Sequence, residues 1–188
     1  MLAAGAGRRY GRPKALVEID GRPLVARAVD TLVAAGCDPV AVVVGAASEK
    51  VRALLAGLPA VAVDNPEWGT GMASSLRAGL RALAGTDAVA VVVLLVDMPG
   101  ITAAAVRRLT GYARSDVLAT ARYGRRRGHP VLLGRAHWDA VAACATGDAG
   151  ARGYLARHAD RVVGVECGDV ADPTDLDVPS GAPAERRR

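Results

Sequence analysis

Short runs of valine, alanine and leucine recur along the chain, and between them apolar residues return at every third or fourth position. The runs at 40–44, 60–63, 88–96, 117–121 and 162–165 are mostly apolar at consecutive positions, which predicts strands covered on both faces, as in a parallel sheet layered between helices. The segments 24–35, 48–55, 74–83, 103–113, 137–145 and 149–157 carry helical spacing, with Gly36, Gly57 and Gly85 placed as C-terminal stops. Residues 15–19 alternate into an Asp20-Gly21 turn. Alternating strand and helix predicts an α/β layer fold with a mostly parallel sheet and right-handed crossovers. No internal repeat or low-complexity linker interrupts it, so residues 1–178 are expected to form one domain. Residues 179–188, a Pro/Gly/Ala stretch ending in arginines, are expected to be a disordered tail.

In such sheets ligands bind beyond the carboxyl ends of the strands. The positions to inspect are therefore Gly5 to Lys14, Gly45, Asp64-Asn65-Pro66, Asp97-Met98-Pro99 and the residues after Tyr123.

Composition narrows the function classes. The chain has 188 residues, is half apolar without any Phe, and carries a formal charge of +5. Its longest apolar run is far too short to span a bilayer. No secretory signal pattern precedes Gly5, and Cys37, Cys144 and Cys167 give neither a metal-ligand spacing nor an even disulfide set, so a reducing cytoplasm is expected. Arg186, Arg187 and Arg188 supply three of the positive charges, and aromatics to stack on bases are few, so nucleic acid is not implied. Only Lys14 and Lys50 of the 24 basic residues are lysine. Lys14 thus stands out as a compact ammonium where the chain otherwise uses arginine, the chemistry of a phosphate gripped as a point charge.

Lys14 closes the opening run MLAAGAGRRYGRPKAL. Glycines let backbone amides approach an anion, and Arg8, Arg9 and Arg12 add cations. A Walker loop requires Gly-Lys-Ser/Thr, but here the lysine follows Pro13 and precedes Ala15. A dinucleotide fingerprint on Gly5, Gly7 and Gly11 needs a helix starting inside the loop and an acid ending the second strand. Pro13 disfavours helix at Arg12, and the second strand ends on Gly45. These features count against the dinucleotide reading, and a third possibility is a loop whose backbone amides and basic side chains wrap a nucleoside triphosphate.

The string Leu2-Ala3-Ala4-Gly5-x-Gly7-x-Arg9-x-Gly11-x-Pro13-Lys14, followed by Gly21-x-Pro23-Leu24, resembles the signature of the molybdenum-cofactor nucleotidyltransferases. The likeness continues at Asn65-Pro66-x-Trp68-x-x-Gly71-Met72-x-x-Ser75-Leu76, Leu95-Val96-Asp97-Met98-Pro99, Arg127-Gly128-His129-Pro130, Gly147-Asp148-x-Gly150-Ala151-Arg152 and, loosely, Asp169 to Leu176. It spans nearly the whole chain in order, and is greatest to the branch that makes molybdopterin cytosine dinucleotide. The guanylyltransferase branch reads Leu-Ala-Gly-Gly where Ala4 stands here.

The resemblance implies a three-layer Rossmann-like nucleotide-diphospho-sugar transferase fold and transfer of CMP from CTP to molybdopterin, with release of pyrophosphate. It implies that Arg9 and Lys14 hold the triphosphate and that Leu2, Ala3, Ala4, Gly5 and Gly7 form its backbone cradle. Asn65, Gly71 and Ser75 would lie against the nucleotide, Asp97 would hold Mg²⁺, and His129, Asp148 and Arg152 would line the pterin site. A molybdoenzyme or its chaperone would be the downstream partner. For several of these residues a second reading stays open: Asp97 as a turn residue, Ser74 or Ser75 as a helix cap, Trp68 packed over the loop, and Asp148 with Arg152 as an i,i+4 pair.

Two departures bear on the reading. Only Met1 precedes Leu2, where the family carries a full apolar strand, so an upstream apolar segment is expected. Ala171 stands where the family commonly places an aspartate, leaving Asp169 or Asp172 as substitutes. They keep two rivals in view, an NAD(P)H-dependent oxidoreductase on the same fold and a non-catalytic protein that binds and delivers molybdopterin.

Overall fold

The computed structural model describes residues 1–176; the expected domain end at 178 and the tail 179–188 lie outside them. In chain order the elements are β1 (Glu18–Ile19), β2 (Arg22–Pro23), α1 (Leu24–Ala34), β3 (Ala41–Val44), α2 (Ser48–Leu55), β4 (Val61–Asp64), α3 (Met72–Leu83), β5 (Ala90–Val93), α4 (Ala103–Thr110), β6 (Leu118–Tyr123), β7 (Arg126–Gly134), α5 (Trp138–Cys144), α6 (Arg152–Arg157) and β8 (Val163–Glu166). β1 and β2 form the small hairpin that the Asp20-Gly21 turn predicts.

The chain start joins the sheet. Leu2 bridges Val43 and Leu95, both in parallel, so the strand order runs β4-β3-(residues 1–3)-β5-β7-β6-β8. The sheet is mixed: β3–β4 and β6–β8 are parallel, whereas β7 runs antiparallel to both β5 and β6. The antiparallel β7 goes beyond the parallel pattern the sequence suggests. Its first half is arginine-rich and only its second half is buried, so no apolar run announces its full length.

Period-two alternation divides β3 between two cores. Val42 and Val44 pack with Leu24, Val29 and Leu32 of α1, Val51 and Leu55 of α2, and Val106 and Leu109 of α4. On the opposite face Ala41 joins Leu76 and Leu80 of α3, Val141 of α5 and Tyr154 of α6. Helices on both faces of one sheet make the three layers that the sequence predicts.

At the middle of the sheet, the Leu2 amide donates to Leu94 O and the Ala3 amide to Val43 O, each at 2.9 Å. The Met1 ammonium is buried and donates to Ala41 O at 2.7 Å. Burial lowers its pKa from 8.0 to about 6, with the nearby Cys37 opposing the shift. An apolar cavity of about 400 Å³, lined by Met1, Cys37, Ala41, Leu80 and Val91, lies at the amino ends of β3 and β5. No helix among the described residues is long and apolar enough to cross a membrane.

Candidate active site

A second cavity, of about 530 Å³, opens at the other end of the strands. Its walls are the loop after Ala4, the segment from Trp68 to Ser75, and Leu95-Val96-Asp97, with Asp148 on the rim. Leu2, Ala4, Gly5, Gly7, Arg9, Lys14, Gly71, Ser75, Asp97 and Asp148 are therefore gathered at one place from four separate stretches of sequence. Ala3 is buried behind it. Tyr10, Thr70 and Met72 also line the cavity; Tyr10 and Thr70 lie between motif positions and carry no sequence signal, whereas Met72 is a motif position to which the resemblance gives no role.

The loop holds its shape through Gly7, at φ +62°. A Cβ there would stand 1.9 Å from Arg12 O, and the Gly7 carbonyl accepts from the Gly11 amide at 2.8 Å. Only glycine permits both the left-handed backbone and this close return of the chain. Gly5, by contrast, is exposed, with open space where a Cβ would go, leaving backbone accessible at the cavity wall.

Lys14 and Asp97 meet across the cavity. Lys14 Nζ donates to Asp97 Oδ2 at 2.8 Å, and the two side chains are only 15% and 21% exposed. Asp97 follows the strand end as expected, and its side chain caps no helix; the start of α4 is capped instead by Thr102 Oγ1, which accepts from the Ala105 amide. Of the two substitutes for Ala171, Asp169 is turned away in a bidentate pair with Arg108, at 2.5 and 2.6 Å, which lowers its pKa. Asp172 lies against Gly100, its amide donating to Gly100 O, while its Oδ1 accepts from the Thr174 amide and hydroxyl. Among the described residues no cluster of three or more His, Cys, Asp or Glu could hold a metal ion.

The Asn65 to Leu76 stretch is tied together internally. Asn65 Nδ2 donates to Ser74 Oγ at 2.9 Å and to Ser75 Oγ at 3.0 Å, and its Oδ1 accepts from the Glu67 amide. Neither serine side chain caps α3. The cap comes from the loop before α6: Asp148 Oδ1 accepts from the Met72 amide at 3.2 Å and Gly147 O from the Ala73 amide at 2.9 Å. This replaces the i,i+4 reading of Asp148 with Arg152, between which no ion pair forms. Trp68 packs with Ala4, Val43 and Ala78, and a Cβ on Gly45 would strike its side chain at 2.6 Å. The ring thus covers Gly45 while still bordering the cavity.

His129 sits where the β6–β7 pairing is interrupted, between the Thr120–Val131 and Ala121–Gly128 partners. A bulge of this kind re-aims a side chain out of the ladder. The ring is half-buried; burial lowers its pKa to about 4, Asp97 opposes the shift and Arg152 adds to it. His129 is thus a neutral imidazole within the electrostatic reach of Asp97 and of the exposed Arg152.

The layered sheet, with a cavity at its strand carboxyl ends, a glycine loop and a facing lysine and aspartate, has the nucleotide-diphospho-sugar transferase fold of solved nucleotidyltransferases. The fold agrees with that of a nucleotidyl transferase from Methanothermobacter thermautotroptrophicus, with a TM-score of 0.81 at 22% identity over 94% of this chain and 89% of that one. It also agrees with Rv0371c of Mycobacterium tuberculosis H37Rv in complex with manganese, with a TM-score of 0.68 at 28% identity over 95% and 88% of the two chains. The sequence matches the MobA-like NTP transferase domain over residues 1–162, and the chain belongs to that family. Among its relatives, nicotine blue oxidoreductase of Paenarthrobacter nicotinovorans is 38% identical over 94% of this chain and 90% of that protein. Molybdenum cofactor guanylyltransferase of Rhodobacter capsulatus is 37% identical over 75% of this chain and 65% of that protein.

Proposed function

We propose that this nucleotidyltransferase transfers CMP from CTP to the terminal phosphate of molybdopterin in the cytoplasm. The observation that carries the reading is the Lys14–Asp97 pair at 2.8 Å, facing the cavity beside the glycine loop. An oxygen of the acceptor phosphate attacks the α-phosphorus of CTP; that bond forms as the bond to the bridging β-oxygen breaks, and pyrophosphate leaves. Such a reaction asks the protein mainly for positioning and charge neutralisation. Lys14 and Arg9 hold the triphosphate, the amides from Ala4 to Gly7 cradle it, and His129 and Arg152 border the acceptor. Delivery of the product to a molybdoenzyme or its chaperone follows from the same reading.

Magnesium binds through one or two carboxylates and fills its remaining positions with water and phosphate oxygens. Asp97, partly exposed to the cavity, fits that requirement together with the nucleotide. When bound, the ion neutralises charge on the transferring phosphate.

Ala4 supports CTP over GTP. It borders the cavity where the guanylyltransferase signature has glycine, and on this reading the extra methyl leaves less room for a purine. One methyl group gives about 1–3 kcal/mol of discrimination. The likeness to nicotine blue oxidoreductase over most of the chain favours one rival, reduction by NAD(P)H. Incubation with molybdopterin, Mg²⁺ and each nucleoside triphosphate in turn is expected to release pyrophosphate fastest with CTP. Preference for GTP would overturn the base assignment alone; NAD(P)H binding with no pyrophosphate from any nucleotide would establish the reductase instead.

A further inference from the structure

Asp97 opens a loop that runs to the start of α4 at Thr102, and the segment 167–176 lies along that loop in the opposite sense. The Leu176 amide donates to Asp97 O at 2.9 Å, the Asp172 amide to Gly100 O at 3.1 Å, and the Thr102 hydroxyl to Val170 O at 2.9 Å. The segment is anchored where it begins. The amide of the buried Cys167 donates to Arg122 O of β6, its carbonyl accepts from the Val170 and Ala171 amides, and Arg108 of α4 grips Asp169. Farther along, Val170, Ala171 and Leu176 pack against the core beside α1, α2 and α4. A Cβ on Gly100 would stand 2.6 Å from Asp172 O and 2.8 Å from Asp172 Cβ, so the segment rests directly on a glycine that no larger residue can replace. Its carboxylates are engaged elsewhere, Asp169 by Arg108 and Asp172 by Thr174. What reaches Asp97 from this segment is therefore backbone and not charge.

We propose that residues 167–176 form a strap that positions Asp97, with Gly100 and Thr102 as the positioning residues through which it acts. The inference rests on the transferase reading, in which Asp97 holds Mg²⁺, and deepens it. A bond to Asp97 O fixes the plane of the peptide that follows, and with it the Cα from which the carboxylate departs toward Lys14. A displacement of about 1 Å at a reacting centre costs about a hundredfold in rate. Nucleotide affinity comes from Lys14, Arg9 and the glycine loop, so the effect of the strap falls on turnover.

The test uses Gly100→Ala, which pushes the strap away, and Thr102→Asp, which keeps an oxygen for the Ala105 amide but cannot donate to Val170 O. Two quantities are measured on each: the side-chain carboxyl ¹³C resonance of Asp97, identified by its loss in Asp97→Asn, and pyrophosphate release from CTP with molybdopterin and Mg²⁺. Both variants are expected to move the resonance, to lower kcat about tenfold to a hundredfold, and to raise the Mg²⁺ concentration needed for half-maximal rate, with KM for CTP changed by no more than about twofold. Thr102→Ser, which keeps donor and acceptor, should match the unaltered protein. Gly100→Ala combined with Asp97→Asn should lose no more than Asp97→Asn alone, because both act at one carboxylate. A lower melting temperature with resonance and kcat unchanged would leave the strap a fastening for stability alone and overturn the inference, as would losses that add in the double variant. If Gly100→Ala gives no cooperative melt, Thr102→Asp decides. If no nucleotide yields pyrophosphate, the transferase reading fails on its own; a resonance that moves in Thr102→Asp but not in Thr102→Ser would still support the strap, and one that stays put would still refute it.

Discussion

Several arginines of this chain fasten backbone, and others pair with carboxylates outside the nucleotide cavity. Arg77 donates to Ala145 O, Arg107 to Ala34 O, and Arg135 to Ala84 O, Thr86 O and Ala88 O, so guanidinium forks close helix ends and loops. Lys14 instead brings a compact ammonium to a carboxylate in the nucleotide cavity. Lys14→Ala is expected to lower turnover by at least about a hundredfold, in the range of a lost charge-stabilising group. Lys14→Arg should remain severely impaired, because a planar fork cannot occupy the place of a point charge; full activity in that variant would remove the role. Asp97→Asn should lose turnover and weaken its dependence on Mg²⁺ concentration, with little change in melting temperature. A large fall in melting temperature with normal turnover would make Asp97 a structural residue. At this scale the sequence was informative where a residue type is itself unusual, as with Lys14 or with Gly7 pinned under Arg12 O. It was uninformative about Asn65, whose neighbours Ser74 and Ser75 are a turn and a helix away and whose hydrogen bonds decide its use.

Element boundaries follow the same logic. Apolar spacing places the start of the third helix at Ser74, yet α3 begins at Met72, because its free amides are met by Asp148 and Gly147 from far along the chain. Gly71, at φ +113°, has the Gly147 carbonyl and Asp148 so close that no Cβ fits, and this close approach sets the helix start. A cap supplied across 76 residues leaves no local signal. Asp148→Ala should cost about 1 kcal/mol, the usual worth of a cap, and lower the melting temperature by about 2–4 °C for a chain of this size. Asp148→Asn, which keeps an accepting oxygen, should retain most of that stability. Because Gly71, Met72 and Asp148 all border the cavity, the alanine variant should also weaken nucleotide binding. Unchanged melting with weakened binding would make Asp148 a ligand contact and not a cap. β7 was hidden for a different reason: its first residues, Arg126 and Arg127, are exposed and charged, although hydrogen bonding to β6 carries the strand through both.

For the whole molecule, the alternation of apolar runs fixes the layers, but the sheet's continuity depends on residues 1–3 between β3 and β5, which no periodicity could assign. The same sheet buries a titratable ring where β6 and β7 part. Burial lowers the His129 pKa from 6.5 to about 4, with Asp97 opposing the shift and Arg152 adding to it. Between these values the unfolded chain binds more protons than the folded one, so this group makes stability rise with pH across the window. Its cost is fully present below about pH 4 and gone above about pH 6.5. Carboxylates titrate in part of that range, so the readout is a difference: urea unfolding of the unaltered chain and of His129→Gln, compared at intervals from about pH 4 to 7. The unaltered chain is expected to climb more steeply than the variant. Parallel profiles would assign the dependence to other groups, and a shallower climb in the unaltered chain would mean that the imidazolium is stabilised where it lies.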